Sequence, residues 1–503
     1  MAEHQLNEVS CMKAINGTNF SQGLQEYPFC IGRPNGFLPS QSYFKISMTI
    51  TGKNGAIPPI EQKLAFADNC VSNLFSNVAF RAGGIDVSSV MNFVGQASAM
   101  QNRIQKTKAW TDSIGKSAYM QDPSFKNRAS LTSSGVYKPA DSFNRINVVN
   151  DPANATTIAI VAAAAVVAGV NTQFVTAGVT TGDLLFLAGE IRPFKVAVVG
   201  AETSLVLDRA FAAGTAATSD FYFVKADSTQ LETGKNTISV IWTPPIGIMQ
   251  CDQVLGAGEY KFCLNPNSDY KTSAVQSAIA QTVGAADNYT NFDINITDIK
   301  LYVATVKLEM SDDEYELDLM EMNVQSKTIT PDNQTNQFTI PSSTKYISVF
   351  FQANSSGTNT KYPPSLFQTS AGQEKFLTSL QLNYANLTKP NTRWDSVFRG
   401  ATGLINQWQQ RYTDNLREAG MIDSIGGAES FEDFLARGVF VHYSFERDMS
   451  DKATQLQLAT SFSNVPGGTF TESTKVFVVC HYRRKVQIQV NNGMIVAVRS
   501  LDA

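Results

Sequence analysis

From Tyr43 onward, apolar side chains occupy every second position, at Phe44, Ile46, Met48 and Ile50. This alternation marks a half-buried strand. Beyond Pro58-Pro59, residues 74–80 predict another strand, closed at Gly83-Gly84. The period then changes. Between 91 and 110, Phe93, Val94, Ala97, Met100, Ile104 and Trp110 recur at helical spacing, with Arg103, Lys106 and Lys108 mostly on other faces. A helix is therefore expected between strands.

The same order returns later in the chain. Residues 345–351, with Tyr346, Ile347, Val349 and Phe351, are strand-like, a loop through Pro363-Pro364 follows, and 376–382 predict a second strand. Setting Phe376 against Leu74 gives an offset of 302 residues, at which Leu377, Leu380, Leu382 and Leu387 fall on Phe75, Val78, Phe80 and Ile85. A helical pattern again follows, over 396–419, with Val397, Leu404, Ile405, Trp408, Tyr412 and Leu416 on one side. The closing strands are aligned as 258–264 with 438–444, and 299–308 with 475–482. A repeated unit of strands, helix and strands implies two copies of one fold.

One block, 150–225, has no counterpart in the second half and reads as an insertion. Its short strands at 172–175, before Gly178, and at 182–187, 196–199, 204–207 and 221–224, joined by tight turns, form the pattern of a small β-barrel. Gly178-Val179-Thr180-Thr181-Gly182-Asp183-Leu184-Leu185 opens a series that resembles the small barrel modules of phage and viral structural proteins. Residues 1–36 show isolated Phe20, Tyr27 and Phe29 among glycines and prolines with no sustained period. They read as an extended arm, either docked on a neighbouring surface or loose. The acidic run 311–316 reads as the start of a solvated linker over 311–326, the alternative being a cation or neighbour contact.

Composition narrows the class. A chain of 503 residues exceeds one hydrophobic core. With 43% hydrophobic and 17% charged residues, and Asn, Thr, Ser and Gln filling the gap, it suits an all-β protein. A net charge of −4 and a pI near 5.6 argue against wrapping or sequence-specific reading of nucleic acid. The compact basic cluster Arg483-Arg484-Lys485, near His481, is read as a hairpin tip or subunit contact in preference to a nucleic-acid site. Cys11, Cys30, Cys70, Cys251, Cys263 and Cys480 lack any C-x-x-C spacing and read as reduced, mostly buried thiols. Residues 1–10 are polar and carry no secretory pattern. The apolar run 157–170 is shorter than the roughly 20 residues a bilayer crossing needs, so no membrane span is expected. Eight N-x-S/T sequons, at Asn16, Asn19, Asn154, Asn288, Asn295, Asn333, Asn354 and Asn386, are what an Asn- and Thr-rich chain produces by chance.

Catalysis requires converging titratable groups, and the chain holds three histidines, His4, His442 and His481, none with a ligand-spaced partner. It contains no G-x-S-x-G elbow, phosphate loop or H-E-x-x-H pair; Gly115-Lys116-Ser117 has the tail of a phosphate loop but Trp110 where the leading glycine belongs. Asp312-Asp313 would alternate faces in a strand and not converge on one bond. No catalytic, cofactor-binding or metal residue is assigned, no cofactor is expected, and the chain reads as a non-enzyme.

Two tandem sandwich units with a helix in a connection and a barrel in one loop resemble the double jelly-roll major capsid proteins, nearest those of polinton-like viruses and virophages within the adenovirus-like lineage. Asn73-Leu74-Phe75-Ser76-Asn77-Val78-Ala79-Phe80 and Asn383-Tyr384-Ala385-Asn386-Leu387 carry the likeness most strongly. The resemblance covers 37 to the C-terminus and implies two tandem eight-stranded jelly rolls, the first over 37–310 and the second over 327–503, with short helices in connecting loops. It further implies a homotrimer, forming pseudo-hexameric capsomers of an icosahedral dsDNA virus shell and meeting neighbouring capsomers, penton and minor capsid proteins. The chain would assemble inside the host cell into the virion. The 150–225 block would be an outward tower meeting host surfaces. The alternative is a carbohydrate-binding or tail/spike β-sandwich, since fold does not fix function. In a lectin, however, aromatics would line an exposed groove, whereas Trp110, Trp394 and Trp408 lie in or beside helical patterns.

Overall fold

The alternation starting at Tyr43 belongs to a strand of 17 residues, one of 26 among the described residues. The computed structural model describes residues 5–11, 20, 26–31, 36–52, 64–118, 145–146, 148–160, 165–187, 194–208, 221–224, 236–256, 258–277, 292–306, 313–329, 333–353, 364, 367, 375–384, 386–395, 400–421, 429–431, 434, 438–445, 453–464, 474–492 and 494–501. In chain order the first strands are β1 (Gln5–Ser10), β2 (Tyr27–Ile31), β3 (Gly36–Gly52), β4 (Leu64–Phe66), β5 (Phe75–Ala82) and β6 (Ile85–Met91). An inserted group follows: β7 (Arg145–Ile146), β8 (Thr157–Ile160), β9 (Val166–Val170), β10 (Leu184–Leu187), β11 (Phe194–Ala201), β12 (Ser204–Leu207) and β13 (Phe221–Val224). The first half closes with β14 (Asn236–Trp242), β15 (Tyr260–Pro266), β16 (Val275–Ser277) and β17 (Phe292–Val306).

Six residues separate Val306 from Asp313, where the second half begins. Its strands are β18 (Asp313–Ile329), β19 (Asn333–Thr339), β20 (Thr344–Ala353), β21 (Lys375–Tyr384), β22 (Leu387–Asp395), β23 (Phe440–Ser444), β24 (Gln455–Asn464), β25 (Thr474–Asn491) and β26 (Met494–Ser500).

The first half pairs β1-β17-β3-β14 in one sheet and β2-β15-β5-β6 in another; the second half pairs β18-β25-β20-β23 and β19-β24-β21-β22. Numbering the eight principal strands of each half from its start, both halves read 1-8-3-6 and 2-7-4-5. That order is a jelly roll, two interlocked Greek keys, and it occurs twice. The short pair β4–β16 stands apart from it. In the first roll the two sheets meet through rings: Phe44 of β3 lies edge-on to Phe29 of β2 and Phe262 of β15, at 5.2 and 5.6 Å. The all-β class with two tandem eight-stranded rolls and short helices in the connections is therefore the observed architecture.

The longest inter-strand connection of each roll, between its fifth and sixth strands, carries a helix: Val94–Gln105 after β6 and Gly400–Glu418 after β22. The first of these connections also contains β7–β13, a seven-stranded sheet in the order β7-β13-β10-β11-β12-β9-β8. Ile158, Val167, Phe174, Val179, Leu185, Phe194, Val196, Leu205, Leu207 and Phe223 gather with Val148 in a core of its own. A single sheet that encloses one such cluster must curl around it. The expected strand at 172–175 is instead a turn that drops Phe174 into this core, while β8 and β9 take up the apolar 157–170 run.

Other expectations of the sequence need correction as well. Residues 5–10 and 27–31 of the presumed arm are the first two strands of the first roll, because β17 and β15 supply partners that no local pattern announces. The presumed linker 311–326 lies mostly in β18, whose Leu317, Leu319, Met322 and Val324 are buried. The pairing of 258–264 with 438–444 is displaced by one strand: β15 is a seventh strand, matching β24, and β23 is a sixth, matching β14. Finally, 91–110 is not one helix. Met91 ends β6, and the helix stops at Gln105 before a second begins at Lys108, with the Thr107 side chain accepting from the Trp110 amide.

Candidate functional site

The most constructed place among the described residues is the seam where the two rolls meet. The Val94–Gln105 helix of the first roll delivers Arg103 into the second. Its guanidinium donates through Nε to Glu429 (2.8 Å) and through Nη2 to the carbonyl of Gly438 (2.7 Å), and lies 4.9 and 4.7 Å from the Phe367 and Phe440 ring centres. Both side chains of this ion pair are at most 3% exposed. A buried pair of this kind adds little net stability over an apolar replacement, but losing one partner strands a charge at about 3–5 kcal/mol. Its effect is to fix which faces meet.

The same helix begins at Phe93, held at φ +54°, a left-handed conformation that strains a bulky residue. Its ring stands edge-on to Phe477 of β25 at 5.3 Å, so the strained turn is what aims an aromatic across the seam. Gln96 continues the contact by donating to Gln352, which donates in turn to the Pro364 carbonyl.

At the other side of the seam β18 faces β6 and the short turn Gly247–Gln250. The buried parity of β18 changes here: Leu317, Leu319 and Glu321 alternate, then Met322 and Val324 take over. A Cβ on Gly247 would stand 2.7 Å from the Met320 carbonyl and 2.8 Å from Glu321 Oε1, so only glycine permits this approach. Glu321 is fully buried, and neither carboxylate oxygen meets a donor in hydrogen-bonding geometry among the described residues. Burial pushes its carboxyl up to about 7; the nearby Ser88 hydroxyl, Gly247 amide, Arg484 charge and Ser89 amide oppose that without offsetting it.

The basic cluster flagged in the sequence is not a hairpin tip. Arg483, Arg484 and Lys485 lie mid-strand in β25, paired with Met320, Leu319 and Asp318, and Arg484 donates across the seam to the Asp86 carbonyl. The sheet register also brings together two histidines that sequence spacing left apart. His442 of β23 and His481 of β25 flank Tyr346, with rings 6.2 Å from each other, and His442 Nδ1 shares a 2.8 Å hydrogen bond with Ser348. Burial depresses His442 to about 3, with His481 adding to the effect, and depresses His481 to about 4. Both are core residues. Cys70, Cys263 and Cys480 are buried free thiols, and among the described residues no group of His, Cys, Asp and Glu could hold a metal ion. No helix among them is long and apolar enough to cross a membrane. The fourth tryptophan, Trp242 of β14, is buried against Phe75 and donates to Ser72. His4 lies outside the described residues.

No family model matches the sequence, and no curated protein matches it. Solved structures do. The chain is similar to the capsid protein of the PBCV-1 virus at 8% identity and a TM-score of 0.50, over 100% of this chain and 98% of that one. The Sputnik virophage structure (11% identity, TM-score 0.49, 99% and 89% covered) and the mavirus major capsid protein (10%, 0.46, 99% and 90%) are further neighbours. At such identities the likeness to the PBCV-1 capsid is one of fold, and it spans both rolls from end to end.

Proposed function

We propose that this chain is a major capsid protein, the repeating wall unit of an icosahedral double-stranded DNA virus. The observation that carries the reading is the double 1-8-3-6 and 2-7-4-5 strand order within one chain, matched at full length by the fold of the PBCV-1 capsid protein. A single roll repeated three times around an axis offers three edges; two rolls fixed side by side offer six, and a six-edged unit tiles a flat facet. The seam has the properties this demands, since Arg103–Glu429, Phe93–Phe477 and Arg484–Asp86 set one relative placement of the rolls.

The working unit is a homotrimer that abuts neighbouring capsomers, pentons and minor capsid proteins within the virion. The seven-stranded module, entering and leaving through one connection and holding its own core, is an outward tower suited to host contact. Sedimentation tests the reading: a particle of about 165 kDa, three times 54.8 kDa, is expected. A stable monomer with affinity for sugars would overturn it in favour of a carbohydrate-binding sandwich. Replacing 145–224 by a short linker should leave that trimer assembled.

A further inference from the structure

Glu321 at the seam carries a charge state that conflicts with its surroundings. Its carboxyl is closed off from solvent, without a donor in hydrogen-bonding geometry among the described residues, at the point where β18 of the second roll meets β6 and the Gly247–Gln250 turn of the first. We infer that Glu321 is a proton-operated latch between the two rolls, closed when the carboxyl is neutral and loosened when it ionises.

The charged surroundings support this assignment. From β6 the carboxyl faces the Ser88 and Ser89 groups; Asp86, farther along that strand, is engaged by Arg81 at 2.6 Å. The Gly247–Gln250 turn brings an amide and no charged side chain. From β25, Tyr482 stands directly opposite, and Arg484 is the cation that acts on the site, but its guanidinium is directed to the Asp86 carbonyl. On β18 itself, Asp318 is exposed and Met320 and Met322 flank the site. The Val94–Gln105 helix, also packed on β18, carries Arg103, which is paired with Glu429. An ionised Glu321 thus has Arg484 as its counter-charge, a cation also engaged by the Asp86 carbonyl, whereas a neutral one needs none.

The sign follows from linkage. An opened seam exposes the carboxyl at its ordinary value near 4.5, while the closed seam holds it near 7. The closed form therefore keeps its proton where the opened form has lost it, and closure weakens as pH rises from about 4.5 through 7. Once both forms are ionised the loss is complete.

Hydrogen exchange of the full-length protein, corrected for the intrinsic pH dependence of amide exchange, reads this directly. Between pH 5 and 8.5, protection of β18 and β6 should fall on the order of fifty-fold in the wild type, and the fall should disappear in Glu321→Gln or Glu321→Leu. Protection in β19 and β24, away from the seam, should not follow it. A wild-type β18 whose corrected protection is level across this range overturns the latch, even if neither variant folds. So does a fall that persists unchanged in the variants.

Discussion

Beside β17, strand β1 runs six residues with almost every side chain in solvent; in the same slot beside β25, strand β18 runs seventeen and buries six. The fold gives both the first position of a jelly roll, yet they are held by different physics. β1 is fastened by polar contacts: Asn7 donates to Thr305, Lys300 pairs with Glu8 at 2.6 Å, and Tyr302 donates to Glu8. β18 is fastened by Leu317 and Leu319 and by its place against the other roll. Position in a topology decides pairing, and what lies across the free face decides composition. One roll's first strand has water across it; the other's has a second roll.

The comparison can be broken most forcefully at Arg103. Arg103→Met leaves Glu429 buried without its cation and should lower unfolding free energy by about 3–5 kcal/mol in denaturant titration, while Arg103→Met with Glu429→Met recovers most of it. Next, Leu319→Ala in β18 should destabilise by about 3 kcal/mol, whereas Leu6→Ala in β1, 48% exposed, should change stability by less than about 0.5 kcal/mol. Equal effects at these two positions would erase the distinction. The histidines of the second roll give an acid limb that the first roll lacks at the equivalent strands. Their folded values lie below the ordinary 6.5, so as pH falls from 6.5 to 4 the unfolded chain takes up protons that the fold refuses, and stability drops. His481→Leu should reduce that drop by on the order of 2 kcal/mol, seen as a flatter melting temperature against pH. The smallest effect is expected at Glu8→Ala, a loss at the edge of detection in denaturant titration that vanishes in high salt, because the Lys300 pair is solvent-exposed.

The sequence offset of 302 residues joins true counterparts, since β5 and β21 are both fourth strands and both bury alternating apolar residues. Closing strands were harder. Tyr260-Lys261-Phe262-Cys263-Leu264 and Phe440-Val441-His442-Tyr443-Ser444 are equally apolar, and only hydrogen-bond partners distinguish a sixth strand from a seventh. Gln5–Ser10 carries no alternation because its outward face and most of its inward face are wet; its strand character comes entirely from β17. The seam was illegible for a related reason. Arg103 looks like a solvated helix face until the second roll arrives. Glu321 alone left a trace, a carboxylate standing two places after Leu319 in the alternation that Leu317 and Leu319 begin.

The six residues between Val306 and Asp313 have a thermodynamic corollary. A tether that short sets the local molarity of one roll around the other at the order of millimolar or above, whatever the amount of protein in solution. Association of the two rolls is therefore first-order and immune to dilution, and their stoichiometry is fixed at translation.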